Sequence, residues 1–167
     1  MKGLNTGDDA RSCVVVAPFG ALELCFVAGE LSEIRFLPPG TPARRPAGEA
    51  QKRAANQIRS YLRNPLSPFS FELPRTGTEF QRLVWREIAS IPPGQTRSYG
   101  AIARRLGTSP RAVGNATGAN PLAVMIPCHR VISSSGGLGG FMGAEEGWGM
   151  DVKRWLLRHE SDIYPRP

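Results

Sequence analysis

Hydrophobic and polar positions alternate along the first forty residues and then change period. Val14-Val15-Val16 is a β-branched run, and Pro18-Phe19-Gly20 is a turn signal. Leu22, Leu24 and Phe26 alternate with Glu23, Cys25 and Val27, a period of two that predicts a strand. Gly29-Glu30 marks another turn, and Leu31 to Leu37 predicts a third strand with Ile34 and Phe36 on one face. Residues 38–48 are rich in Pro and Gly and read as irregular. From Glu49 to Leu62 the period turns helical, with Ala54, Ile58 and Leu62 at i, i+4 and i+8; Asn64-Pro65 ends the helix. Phe69 to Leu73 predicts a short strand, and Pro74 to Gly77 a linker.

The second half reads as helices. Thr78, with Gln81 three residues on, predicts a capping box, and Phe80, Leu83, Val84 and Ile88 predict that helix's buried face. Ile91-Pro92-Pro93-Gly94 stops it. Ser98 caps a second helix running to Leu106, with Ile102 and Leu106 inward, and Gly107 suits a left-handed stop. Ser109-Pro110 opens a third helix with proline at its favoured first position. The expected fold class is α+β: a small antiparallel sheet with a helix over 1–76, then a helical domain over 77–167.

Helix, glycine turn, helix is helix-turn-helix spacing, and it is equally the spacing of two helices packed with no DNA role. The third helix carries Ala112, Gly114, Ala116, Gly118 and Ala119. Glycine costs a helix about 1 kcal/mol relative to alanine. So small-sided a helix implies close approach, either to a groove wall or to another helix of the same protein.

Composition narrows the function classes. Hydrophobic residues are 41% and charged residues 21% of 167, a globular balance. No apolar run approaches the roughly 18 residues of a membrane span. Met1 to Ala10 is polar and reads as neither signal nor transit peptide, so a cytoplasmic location and no membrane partner are expected. The net charge is +7, and Lys2, Lys52 and Lys153 are the only lysines among 21 basic residues. Arginine suits phosphate recognition, as it also follows coding bias. No acid lies between Glu87 and Glu145, a stretch holding Arg97, Arg104, Arg105, Arg111 and Arg130. On charge alone, a nucleic-acid surface and a chance run are equal readings.

Cys13, Cys25 and Cys128 make no C-x-x-C pair and, with His129 and His159, no zinc spacing. No metal and no cofactor are expected, and Cys13 and Cys25 read as buried reduced thiols. Cys128 stands apart in Ile126-Pro127-Cys128-His129-Arg130-Val131-Ile132, a thiol beside cationic groups in an apolar frame. Neighbouring side chains diverge on any regular backbone, so His129 can serve Cys128 only through a bridging water or a turn.

Pro127-Cys128-His129-Arg130-Val131 resembles the active-site signature of the O6-alkylguanine-DNA alkyltransferases. The resemblance extends over Thr78 to Trp85, Ile91 to Tyr99, Arg111 to Ala116, Asn120-Pro121 and Lys153 to Glu160, and more loosely over Pro18 to Leu22. It implies a ribonuclease-H-like N-terminal sheet and a helix-turn-helix beside an active-site cysteine loop. It implies a monomer that binds duplex DNA through the minor groove, flips out O6-alkylguanine (O4-alkylthymine being a second candidate lesion), and transfers the alkyl group irreversibly to Cys128. His129 is then the general base through a water, Glu160 orients His129, Asn120 positions the turn, and Tyr99 faces the flipped base. The DNA-binding set becomes Arg111, filling the vacated stack, with Thr96, Arg97, Ser98, Ala112, Gly114, Asn115 and Arg130. The substrate pocket becomes Pro127, Phe141, Met142, Gly143 and Trp148. Three departures touch that pocket: Phe141 replaces a usual Tyr, Met142 a small or polar residue, and 144–148 lengthen the wall. A non-catalytic damage binder, a DNA-binding regulator and a thiol hydrolase are the competing classes. Cys128 argues against the first, the lack of a regulatory domain against the second, and the acid-free Arg-bearing stretch against the third.

Overall fold

The computed structural model describes residues 11–161. The chain forms two compact units, Met1–Ser70 and Phe71–Pro167. The expected boundary at 76/77 lies a little beyond that division.

In the first unit, β1 (Ser12–Ala17), β2 (Gly20–Val27) and β3 (Glu30–Leu37) form an antiparallel sheet in the order β1-β2-β3. Gly20 has φ 142, and a Cβ there would sit 2.3 Å from the Leu37 carbonyl oxygen, so the first turn requires glycine. The β2–β3 turn places Ala28 and Gly29 at φ 50 and 80, the paired positive angles of a tight hairpin. Cys13, Val15, Leu22, Leu24, Phe26 and Ile34 are buried. The helix α1 (Glu49–Arg63) packs on this sheet.

Two expectations fail in this unit. Ala54 and Ile58 are buried as expected, with Ala55 and Tyr61 beside them, but Leu62 is only half-buried. Phe69 to Leu73 forms no strand. The Gln57 side chain satisfies Ser70 there, accepting from its N–H at 2.6 Å and donating to its carbonyl at 3.3 Å, and the Phe69 ring packs on Tyr61. A backbone satisfied by a side chain gains nothing from a neighbouring strand.

In the second unit, α2 (Glu79–Ala89) starts at the expected capping box, with both Thr78 and Gln81 side chains bonded. Its buried face is Val84, Trp85 and Ile88; Leu83 is exposed. Trp85 takes the inward place because its Nε1–H donates to the Ala116 carbonyl at 2.8 Å. After the two-residue β4 (Arg97–Ser98) comes α3 (Tyr99–Leu106), capped by Ser98 and closed by Gly107 at φ 63. Leu106 is half-buried, whereas Ile102 is fully inward. Ser109 caps α4 (Pro110–Gly118), with proline at its start. A short 3-10 turn, Cys128–Arg130, leads into β5 (Val131–Ile132), and α5 (Trp148–Ser161) ends the described chain. Strand β5 pairs in parallel with β4, bringing Arg97 against Val131 and Ser98 against Ile132. No helix among the described residues is long and apolar enough to cross a membrane.

Candidate active site

The segment before Cys128 is held in an unusual path. Asn120 donates to the Ile126 carbonyl at 2.8 Å and accepts from the Leu122 N–H at 3.0 Å, clamping both ends of a tight loop. Val124 inside it has φ 74, a conformation that β-branched residues avoid. Pro127, at φ −79 and ψ 68, makes an inverse γ-turn in which Cys128 N–H reaches the Ile126 carbonyl at 2.8 Å. The Val131 N–H then closes the 3-10 turn onto the Cys128 carbonyl. The β4–β5 pairing sets this turn beside the start of α3, where Tyr99 stands.

Behind Cys128 lies a buried ionic group. His129 is wholly buried, and its Nε2 is 2.8 Å from Glu160 Oε1. Arg130 forks onto the same carboxylate, Nε to Oε2 at 2.9 Å and Nη2 to Oε1 at 2.8 Å, while its Nη1 donates to the Ile91 carbonyl. The Gly94 N–H adds a long contact to Oε2 at 3.5 Å. Burial alone would raise the Glu160 carboxyl, yet the bond from His129 and the bonds and charge of Arg130 outweigh it and hold that group well below the usual carboxylate range. Burial pulls His129 below its usual 6.5, with Glu160 opposing. An ionised carboxylate only accepts, so Nε2 carries the proton, and in the neutral ring Nδ1 is left as an acceptor. Nδ1 is buried and has no hydrogen-bond partner. A base with its lone pair kept free is what a water-relayed proton transfer needs.

Cys128 is a free thiol and partly exposed. Burial pushes its thiol up; a hydrogen bond from Asn120 and the charge of Lys153 pull it back. Tyr99 is raised by burial and further by the nearby sulfur. Lys153, to which the sequence reading gave no role, is fully buried and donates to three carbonyls, Val131 at 2.8 Å, Leu138 at 2.5 Å and Gly140 at 3.3 Å. Its signal in the sequence was rarity, a lone lysine in an arginine-rich half. Of the expected pocket residues, Pro127 and Phe141 are buried, Trp148 is half-buried at the start of α5, and Met142 and Gly143 are exposed. Met142 (φ 54) and Gly143 (φ 73) form the tip of a tight turn closed by two Phe141–Ala144 backbone bonds. Glu145 and Glu146 point to solvent beyond it.

The expected DNA-binding residues divide. Thr96, Arg111 and Asn115 are exposed, and Ala112 and Gly114 are half-buried. A Cβ added at Gly114 or Gly118 would meet nothing within 4 Å, so these glycines do not serve packing inside the protein. Ser98 is occupied as a cap, accepting from Ala101 N–H at 3.0 Å. Arg97 is partly covered and bonds Glu87 and Ser90, while Arg105 reaches Glu87 at 3.0 Å. Arg130 requires correction: at 6% exposure, with its fork closed on Glu160, it has no surface to offer DNA. Its charge is matched inside. Among the described residues no group of three or more His, Cys, Asp or Glu side chains gathers for a metal.

Residues 79–162 match the family model described as the DNA-binding domain of 6-O-methylguanine DNA methyltransferase. The methylated-DNA–protein-cysteine methyltransferase of Mycobacterium tuberculosis is 39% identical over 155 residues, covering 89% of this chain and 91% of the relative. The crystal structure of the M. tuberculosis O6-methylguanine methyltransferase superposes with a TM-score of 0.76 at 37% identity, covering 94% of this chain and 96% of the other. A second structure of that protein, in complex with DNA, gives 0.74 at 39% identity over 91% and 93% of the two chains. Matched by the family model over 79–162 and 39% identical to a methyltransferase along most of both chains, this chain belongs to the O6-methylguanine-DNA methyltransferase family.

Proposed function

We propose that this protein repairs duplex DNA by flipping O6-alkylguanine out of the stack and taking the alkyl group onto Cys128, once per molecule. The observation that carries the reading is the His129 ring, with Nε2–H committed to an ionised Glu160 and Nδ1 free beside the cysteine turn. The Cys128 proton passes through a water to Nδ1. The sulfur attacks the alkyl carbon, the carbon–oxygen bond breaks, and O6 leaves with the electron pair. The proton returns to the guanine, so charge balances. The thioether that remains has no leaving group, and Cys128 is consumed.

Residues 77–167 are read as the DNA-binding and transfer domain, with α3, the Gly107 turn and α4 as a helix-turn-helix. The open glycines of α4 suit a shallow minor groove, and a protein that must search any sequence gains from reading backbone and shape. Extruding a base costs a few kcal/mol, and Arg111, exposed at the start of α4, is read as the residue that fills the gap. Tyr99 lies on the sulfur's side of the site. Phe141, Met142 and Gly143 form the alkyl-facing wall. The N-terminal sheet and helix are read as ribonuclease-H-like, and the protein as a cytoplasmic monomer.

The test is transfer of label from duplex DNA carrying a labelled methyl at guanine O6. Label should saturate at a stoichiometric level on the protein and be abolished by Cys128→Ala. Label released as methanol over many turnovers, or transfer that survives the substitution, would sink the assignment.

A further inference from the structure

Lys153 is a buried cation that the relay above leaves unused. No carboxylate lies within ion-pair distance of it among the described residues; it donates to three neutral carbonyls, and its Nζ stands 5.9 Å from the centre of the Phe141 ring. Desolvating a charge is costly unless something at the site needs it. Groups that face it are few. From the cysteine turn, Cys128 and His129 feel its charge. Arg130 on the same turn is already closed on Glu160. The loop 133–140 is Ser-Ser-Ser-Gly-Gly-Leu-Gly-Gly and has no titratable side chain. Tyr99 flanks that loop from α3. On α5 itself, Glu160 is bound to His129 and Arg130, and Asp151 and Arg154 are exposed to each other at 2.9 Å.

The three bonds are not placed at random. The Val131 carbonyl belongs to the residue whose N–H closes the Cys128 turn. The Leu138 and Gly140 carbonyls flank Gly139, where a Cβ would sit 3.1 Å from the Tyr99 ring. One ammonium therefore joins the nucleophile's turn to the wall against Tyr99. Burial pulls its pKa down to about 8, so it is still largely protonated at neutral pH.

We propose that Lys153 is a positioning residue of alkyl transfer, fixing the Cys128 turn to the 138–140 wall and supplying the counter-charge against which the thiol gives up its proton. The proposal rests on the alkyl-transfer reading for its purpose, though not for its measurement. A fixed positive charge near a developing negative one needs no reorganisation at the moment of reaction.

The test is carbamidomethylation of Cys128 by iodoacetamide in the full chain, followed by peptide mass from about pH 6 to about pH 9.5, on either side of the free-thiol range. Wild type is compared with Lys153→Met, which keeps length and loses charge, and Lys153→Arg, which keeps charge. Folding is checked by tryptophan fluorescence. K153M should react about tenfold more slowly at neutral pH, one unit of thiol pKa. The deficit should narrow above about pH 8, where Lys153 itself loses its proton. K153R should match the wild type below about pH 8 and, keeping its charge where Lys153 loses its proton, should react no more slowly than the wild type above it. A K153M deficit equal at every pH, or no deficit, overturns the counter-charge role. If K153M does not fold, K153R decides: a wild-type rate below about pH 8 supports the proposal and a loss of rate there overturns it. Iodoacetamide needs neither DNA nor lesion, so a protein that shows this shift yet fails to repair O6-alkylguanine would refute the proposed function alone.

Discussion

Glu160→Gln is the sharpest single perturbation of the site. The native carboxylate accepts three close charge-assisted bonds, from His129 at 2.8 Å and from Arg130 at 2.9 and 2.8 Å, all of them buried. A carboxamide has one oxygen in place of two and turns an N–H₂ toward Arg130. It leaves that guanidinium buried without a counter-charge. Breaking a buried pair from one side costs about 3–5 kcal/mol. For a chain of this size each kcal/mol shifts the midpoint by about 2–4 °C, so the melting temperature should drop by roughly 6–20 °C. Trp85, Trp148 and Trp155, the three tryptophans, all lie in the second unit, so their fluorescence reports that unit. Alkyl transfer should slow by about 10²–10⁴, the range that a positioned base contributes, because the imidazolium formed in the reaction loses its anion. Adding Arg130→Met should recover part of the stability and none of the rate, since it removes the stranded charge without restoring the relay. A single variant that loses under about 1 kcal/mol, with a wild-type rate, would refute the view that Glu160 joins fold and chemistry.

Three further outcomes follow from the same geometry. Arg111→Ala should slow repair of duplex DNA far more than reaction with free alkylguanine, and equal losses on both would remove Arg111 from base flipping. Gly114→Leu enters open space, so helix stability should rise by about 0.5–1 kcal/mol while duplex binding weakens; unchanged binding would detach α4 from the DNA surface. Because burial holds His129 below 6.5, the transfer rate should stay flat down to that pH and fall only under it, and a rate already halved above it would contradict a neutral base. Stability has the same sign. The unfolded chain binds the His129 proton first as pH falls below 6.5, and the Glu160 proton first below 4.5, so the second unit should become progressively less stable toward acid in a fluorescence titration.

What was legible in the sequence was local. The Thr78–Gln81 box, the Ser98 and Ser109 caps and the left-handed Gly107 each depend on residues within one turn, and all stand where expected. The errors depend on distant partners. Leu83 was expected inward, but the inward place belongs to Trp85, whose acceptor lies 31 residues away on α4. The segment after Phe69 was expected to be a strand, and it is satisfied by Gln57 on α1. Of the site, the relay of Cys128, His129 and Glu160 came from the family resemblance. Spacing alone gave only the need for a bridging water or turn. Neither route reached Lys153, because nothing in the chain says which carbonyls will surround a lysine.

The misplacement of Arg130 bears on mechanism. Read from the sequence, it was one more cation in an acid-free stretch. Inside the fold it sets the state of its neighbours. Burial raises an isolated carboxyl, and a raised Glu160 would carry its own proton and donate to His129 Nε2, leaving Nδ1 with the hydrogen and no lone pair for the thiol's proton. The bond from His129 and the fork of Arg130 together hold Glu160 ionised, and an ionised Glu160 obliges Nε2 to donate and leaves Nδ1 to accept. The residue expected on DNA thus helps to fix which nitrogen of His129 is left to accept in the proposed relay.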